Sequence, residues 1–459
     1  MRGAVDNITQ AIGHTPIVRL NTVARDVASR IFVKLEFMNP GGSMKDRVAV
    51  QIIRDAEEKG LLKPGGVIVE ATSGNTGMGL AMVGATRGYS SIFVMPDKMS
   101  HEKIASLRAF GARVVICPTA VEPDDTRSYY SVARRLVQET PSAFYANQYH
   151  NPSNPEAHYR STAPEIWEQT GGEIDVFVAG MGTGGTISGC GRYFKEKNPA
   201  FRIVGVDPIG SLYYEYVKTG RMTKPFSYYV EGIGEDFLPG TMDLRLIDDI
   251  VRVDDKECFL MTRELVRSEG IYAGGSSGAA VAGAIRYARE SGRTENILVL
   301  LPDSAQKYLS KIFDDKWMRE NGFLEEEDEW GTVAQMIRGR ERGVVTVAHG
   351  TTVGRAIALM KEHGISQLPV LDARGRLSGI VAEVDLLQCL LKSEGRLGHT
   401  IDDLVEADYQ TVTPATRAVL LKNIFTDAKL VCVLDRDELI GVITKIDLIE
   451  YLGARRGAA

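Results

Sequence analysis

A lysine set behind two glycines and a serine is the first residue of this sequence with chemistry to offer. PGGSMKDR, residues 40–47, places Lys45 where a helix is expected to begin. The free N–H groups and positive end of a helix make such a place electropositive. Burial there lowers an amine's pKa and frees it to attack a carbonyl. Three more stretches share a narrow vocabulary of Gly, Ser, Thr and Asn: EATSGNTGMG (70–79), GMGTGGTISG (180–189) and YAGGSSGAA (272–280). Loops of this composition let backbone N–H groups approach an anion, and the helix that follows adds its dipole. Taken singly, each is a tight turn with a helix cap. Four of them together point to one shared ligand that carries a phosphate.

Gly180, Gly182 and Gly185 also spell G-x-G-x-x-G, a dinucleotide fingerprint, and Asp207 follows the next apolar run, where a ribose-binding acid would stand. Yet Thr183 and Thr186 add hydroxyls to the backbone donors, which suits a phosphate monoester better than a bridging pyrophosphate. A nicotinamide dinucleotide would also leave Lys45, TSGNTG and GGSSG without a shared purpose. A phosphate loop and an activated lysine together call for a phosphorylated aldehyde, and pyridoxal phosphate is that molecule.

The elements that position these loops are legible as short apolar runs at residues 31–35, 67–70, 91–95, 113–117, 175–179, 203–206 and 296–301. Amphipathic stretches separate them. KDRVAVQIIRDAEEKG (45–60) ends on a C-cap glycine, and SHEKIASLRAFGA (100–112) opens on an N-cap serine. Strand and helix in alternation predict an α/β fold, a mostly parallel sheet covered by helices. After residue 323 the acidic LEEEDEW (324–330) reads as a linker, and the chain then repeats itself. LPVLDARGRLSGIVAEVDLL (368–387) matches VCVLDRDELIGVITKIDLI (431–449), with Gly379 and Asp385 aligned on Gly441 and Asp447. The expected organisation is a catalytic domain over 1–323, a linker over 324–330 and a tandem module over 331–459, its repeats at about 334–392 and 398–455.

Composition narrows the classes. The 459 residues are 44% apolar with net charge −6 and no long Lys/Arg run, which argues against nucleic acid as a partner. Five scattered cysteines, Cys117, Cys190, Cys258, Cys389 and Cys432, form no C-x-x-C pair and read as free thiols in a reducing compartment. No metal-ligand set is expected. The N-terminus lacks a signal peptide's apolar core and no stretch is long enough to span a bilayer, so a cytoplasmic protein with no membrane partner is expected.

PGGSMKDR, TSGNTG, GTGGT and GGSSG, in this order, resemble the β-family of pyridoxal-phosphate enzymes, the fold-type II group of tryptophan synthase and cysteine synthase. Within it, NQYHNPSNPEAHY (147–159), VEGIGEDFLP (230–239) and LPDSAQKYLSKIFDDKWMRENGFL (301–324) are most similar to the cystathionine β-synthases. The C-terminal repeat resembles their paired regulatory CBS domains. The resemblance implies that Lys45 holds the cofactor covalently and moves the substrate's protons. Gly182, Thr183, Gly184, Gly185 and Thr186 would bind its phosphate, Asn75 its ring oxygen and Ser276 its ring nitrogen. Thr72, Ser73, Thr76 and Gln148 would hold the carboxylate of L-serine. Tyr149 and the loop with Gly232 and Gly234 would face the incoming thiol, L-homocysteine. Cysteine synthase, using O-acetylserine and sulfide, is the alternative activity, and release of hydrogen sulfide from cysteine is compatible with either. The resemblance also implies a homodimer or higher oligomer, and an adenosyl ligand at the module. Its motif stands as Thr444 and Asp447 in the second repeat, against Ala382 and Asp385 in the first. Animal members carry a haem on an N-terminal Cys-Pro segment; the first cysteine here is Cys117, so no haem is expected.

Overall fold

The computed structural model of the chain describes residues 3–456 apart from 73, 120, 123–124, 326–329, 339–342, 393–395 and 427. Ser73 and the centre of the acidic linker therefore lie outside the described residues. The chain divides into two compact units, Met1–Glu325 and Glu326–Ala459. Among the described residues no helix is long and apolar enough to cross a membrane.

The first unit holds two sheets. One has six strands in the order Ile17–Arg19, Arg30–Leu35, Asn296–Leu301, Val176–Gly180, Arg202–Pro208, Asp249–Val253. All its pairs are parallel except the first. The other has four parallel strands in the order Arg113–Cys117, Ser90–Pro96, Val67–Ala71, Ala143–Tyr145. Its inner strands bury nearly every side chain, as in VIVEA of Val67–Ala71, because helices cover both faces. The seven apolar runs all become strands. Two strands of this unit were not expected from the sequence, Ala143–Tyr145 and Asp249–Val253, and each is the edge of its sheet.

The helix that begins at the lysine is Lys45–Glu58, and Gly60 leaves it in the left-handed region with φ of 68°. It packs against Asn75–Arg87, the helix after TSGNTG. A Cβ at Gly79 would come within 2.8 Å of the Lys45 carbonyl oxygen, so only glycine lets the two helices meet there. The serine expected to cap the helix His101–Ala109 needs correction. Ser100 occupies the N-cap position, but its hydroxyl donates to the Lys307 carbonyl at 2.8 Å instead of accepting from its own helix.

The second unit repeats one topology. In each half a parallel pair is followed by an antiparallel one: Val347–Ala348, Gln367–Leu371, Leu377–Ala382 and then Gln410–Val412, Leu430–Asp435, Glu438–Thr444. The register shifts at matching places, Val370/Leu371 and Val433/Leu434. In the second repeat Thr444 and Asp447 form a reciprocal cap on the helix Lys445–Arg456. The Thr444 N–H donates to Asp447 at 2.6 Å, and the Asp447 N–H donates to the Thr444 hydroxyl at 3.4 Å. The first repeat has half of this: the Ala382 N–H donates to Asp385 at 3.1 Å, and Ala382 offers no hydroxyl in return.

Candidate active site

Lys45 is placed by its backbone. The Met44 N–H donates to the Pro302 carbonyl at 2.9 Å, Ser43 bridges to Asp303, and the Lys45 N–H donates to Ser43 Oγ at 3.3 Å. The lysine is thus tied to the carboxyl end of the strand Asn296–Leu301, where ligands bind in open parallel sheets. Burial lowers its ammonium to about 8, against the opposing pull of the Glu235 carboxylate. It lines one pocket with Gly182, Thr183, Gly184, Thr186 and Gly232.

The glycines of that pocket's loop have no room for a side chain. Gly184 stands at the N-cap of the helix Gly185–Lys197 with φ of 89°. A Cβ at Gly185 would fall 1.9 Å from Asn154 Oδ1, and one at Gly182 would fall 2.7 Å from the Gly232 carbonyl. The buried Asn154 amide donates to the Gln148 carbonyl at 2.8 Å and to Thr183 Oγ1 at 3.0 Å, while its own Oδ1 has no partner among the described residues. Thr186 Oγ1 lies 3.2 Å from His158 Nε2. Burial, helped by the charges of Lys45 and Arg47, holds His158 well below its ordinary pKa, so the ring is neutral. Bare N–H groups at a helix start, two threonine hydroxyls and a lysine amine nearby make a donor set that fits a phosphate monoester joined to an aldehyde. Asp207, the rival ribose-binding acid, is fully buried and accepts the Tyr214 N–H at 2.8 Å.

The loop expected to hold the substrate carboxylate comes from the other sheet. Thr72 Oγ1 accepts the Gly74 N–H at 3.0 Å, shaping the turn into Asn75–Arg87, and Thr76 donates to Gln148 Oε1. Gln148 is held from behind by Glu70, which accepts its N–H at 3.1 Å and that of Asn147 at 2.6 Å. The Asn75 amide donates to Asp303 Oδ2 at 2.8 Å and accepts from Lys307 Nζ at 2.7 Å. Ser276 is buried in the first turn of Gly275–Ser291, and a Cβ at Gly232 would lie 4.0 Å from its Oγ. Gly232 and Gly234 have φ of 88° and 77°, and the Gly234 N–H donates to the Met181 carbonyl at 2.6 Å, which joins this loop to the glycine loop. Tyr149 is buried against Phe237, ring centroids 5.3 Å apart. Glu231 accepts from Lys103 at 2.6 Å and Lys311 at 2.7 Å. Burial pushes its carboxyl up, but the two lysines outweigh burial and hold it below the ordinary value.

Sequence reasoning missed Asn154, His158, Asp303 and Lys307 as parts of the site. All four lie inside the stretches that carried the resemblance, and that position was the available signal.

The family model described as pyridoxal-phosphate dependent enzyme matches residues 8–303, and the CBS domain model matches 337–392. The chain is 38% identical to the cystathionine beta-synthase of Dictyostelium discoideum, over 98% of this chain and 92% of that one. It is 43% identical to a cysteine synthase of Staphylococcus aureus, over 68% of this chain and 98% of the relative. Among solved structures, an O-acetylserine dependent cystathionine beta-synthase from Helicobacter pylori superposes with a TM-score of 0.62 at 36% identity, covering 67% of this chain and 98% of the other. The chain therefore belongs to the pyridoxal-phosphate dependent enzymes of fold-type II. Among these it is a member of the cystathionine β-synthase family, a lyase with a CBS domain behind its catalytic unit.

Proposed function

We propose that the first unit joins L-serine to L-homocysteine, releasing water and forming cystathionine, with Lys45 as the proton carrier. The observation that carries this reading is the pocket Lys45 shares with the glycine loop and Gly232. Bound there, pyridoxal phosphate supplies a conjugated ring that stabilises negative charge at the substrate α-carbon. The N–H groups of residues 182–186 and the hydroxyls of Thr183 and Thr186 hold its phosphate. Ser276 meets the ring nitrogen as a neutral partner, and Asn75 meets the ring oxygen. Thr72, Ser73, Thr76 and Gln148 hold the serine carboxylate through neutral donors. The Lys45 amine takes the α-proton and gives a proton to the departing hydroxyl, which leaves as water. The homocysteine thiol gives its proton to the Lys45 amine as its sulfur bonds to the β-carbon beside Tyr149, and Lys45 passes that proton to the α-carbon. Borohydride reduction of the holoenzyme followed by peptide mapping tests the assignment: the cofactor should be found on Lys45, and Lys45→Ala should fold yet form no cystathionine. Turnover by that variant at the wild-type rate would refute the mechanism.

The likeness to a cysteine synthase and to an O-acetylserine dependent enzyme favours a second reading of the leaving group, acetate in place of hydroxide. Comparing kcat/KM for serine and O-acetylserine with homocysteine or sulfide as acceptor separates the two. For the second unit, an adenosyl ligand would meet the Thr444 hydroxyl and the Asp447 carboxylate. Titration calorimetry with S-adenosylmethionine and AMP, on wild type and Asp447→Ala, decides it; no heat from either ligand would end that idea. The helices Glu383–Lys392 and Lys445–Arg456 expose Leu387, Leu391, Ile446 and Ile449, apolar surface that suits assembly into a homodimer or larger oligomer, measurable by light scattering.

A further inference from the structure

Three successive carbonyls of the glycine loop are fastened from behind. The Met181 carbonyl accepts from the Gly234 N–H at 2.6 Å. The Gly182 carbonyl accepts from the Tyr213 hydroxyl at 2.7 Å. The Thr183 carbonyl accepts from the Thr241 hydroxyl, which also lies 3.0 Å from the Tyr149 carbonyl. Gly182, Thr183 and Gly184 line the pocket with Lys45, and none of the three donors does. These peptides are trans and planar, so a carbonyl held on one side turns the N–H of the same unit to the other. Those N–H groups belong to Gly182, Thr183 and Gly184. They are buried, and among the described residues they have no acceptor. Buried N–H groups need one, and an anion in the pocket supplies it. Tyr213 is itself fully buried, and its backbone is held on both sides. The Leu212 N–H donates to the Glu235 carbonyl at 3.2 Å, and the Tyr214 N–H donates to Asp207 at 2.8 Å.

We infer that Tyr213 is a positioning residue for the cofactor's phosphate, with Thr241 as its companion at the next peptide of the loop. The inference rests on the reading of the pocket as a phosphate site. Tyr213 stays behind the loop and acts through the peptide between Gly182 and Thr183. Its hydroxyl holds that carbonyl away from the pocket, where a carbonyl oxygen would repel a phosphate. The same hydrogen bond polarises the peptide, so the Thr183 N–H becomes a stronger donor. Glycine lets the backbone turn its peptides either way, and a loop this rich in it needs an outside fastener to keep one orientation. The Gly234 N–H serves the Met181 carbonyl alike, but it is main chain. The hydroxyls of Tyr213 and Thr241 are the fasteners that substitution can remove.

The test uses the full-length apoprotein and the variants Tyr213→Phe and Thr241→Val, each of which removes a hydroxyl and keeps the bulk of the side chain. Absorbance titration with pyridoxal phosphate, and with pyridoxal, the same aldehyde without the phosphate, separates the two ends of the site. Tyr213→Phe should weaken pyridoxal phosphate about tenfold, the effect of one lost hydrogen bond, and leave pyridoxal unchanged. Thr241→Val should show the same selectivity. A general loosening of the fold would weaken both aldehydes together. Unchanged affinity of Tyr213→Phe for pyridoxal phosphate, or equal losses with both aldehydes, would overturn the assignment. A selective loss in Tyr213→Phe alone would uphold Tyr213 and strike Thr241 from it. A wild-type protein that binds pyridoxal as tightly as pyridoxal phosphate would instead refute the phosphate site itself, whatever the variants do.

Discussion

Lys307 Nζ donates to the side-chain oxygen of Asn75 at 2.7 Å, while the Asn75 amide donates to Asp303 at 2.8 Å. Both ends of the asparagine are thus occupied by residues more than two hundred positions away in the chain. The amide expected to meet the cofactor's ring oxygen is oriented by the protein's own groups, and burial brings Lys307 to about 8. Replacing Lys307 by Met should free Asn75 to rotate and weaken cofactor binding roughly tenfold, one lost polar contact to a charged group. Fluorescence titration of the apoprotein with pyridoxal phosphate measures it. Unaltered affinity would show that the lysine does not orient the amide.

Gly185→Ala puts a methyl group where Asn154 Oδ1 now lies. Asn154 must turn away, and with it go its bonds to Thr183 and Gln148. The expected outcome is a cofactor dissociation constant raised by tenfold or more, with far-ultraviolet circular dichroism retained.

Reconstitution should depend on pH in a defined sense. Imine formation needs the neutral amine, and burial brings Lys45 down to about 8. The rate of cofactor attachment to apoprotein should therefore rise with pH through about 8 and level off above it, well below the range of an ordinary lysine. Stopped-flow absorbance between pH 6 and 10 reports the midpoint. A midpoint above 10 would mean that the site does not activate the amine.

Arg47 donates to both oxygens of Glu36 at 2.8 Å and meets Glu165 at 2.8 Å, and Lys34 adds a contact to Glu165. Removing one partner leaves buried charge behind, so Arg47→Ala should cost about 3–5 kcal/mol. Burial pushes Glu165 up, but Arg47 and Lys34 outweigh it and hold the carboxyl at about 2, against 4.5 ordinarily. A depressed carboxylate stabilises fully above its unfolded value and loses that contribution as pH falls from about 4.5 toward 2. Urea melts at pH 7, 5 and 3 should show the loss, and Glu165→Gln should flatten it.

Much of this was legible in the sequence, for identifiable reasons. NILVLL is a central strand buried by parallel neighbours, so its apolar run stands out and its bounds, residues 296–301, hold as read. The two unexpected strands are both edges with one neighbour each, and in DIVRV the exposed Arg252 breaks the run. RVVIC is an edge too, yet keeps its apolar run and was found. In the site, the glycine loops are local signals, because a left-handed residue or a close approach demands glycine at that position. Asp303, Lys307 and Asn154 act through partners that only the fold brings near, and a polar residue's partner is not written beside it. Ser100 shows the same limit: its position at the helix start was readable, but the pull of a distant carbonyl on its hydroxyl was not.

The contact between Gly79 and the Lys45 carbonyl has a consequence for how this chain can vary. Position 79 touches no ligand in the proposed reaction, but any side chain there must push on the main chain of Lys45 itself. The crossing of the two helices works as a fixed stop against which the lysine is registered. A saturation library at position 79 should therefore be as intolerant as one in the glycine loop, and its surviving members should fail in cofactor chemistry before they fail to fold.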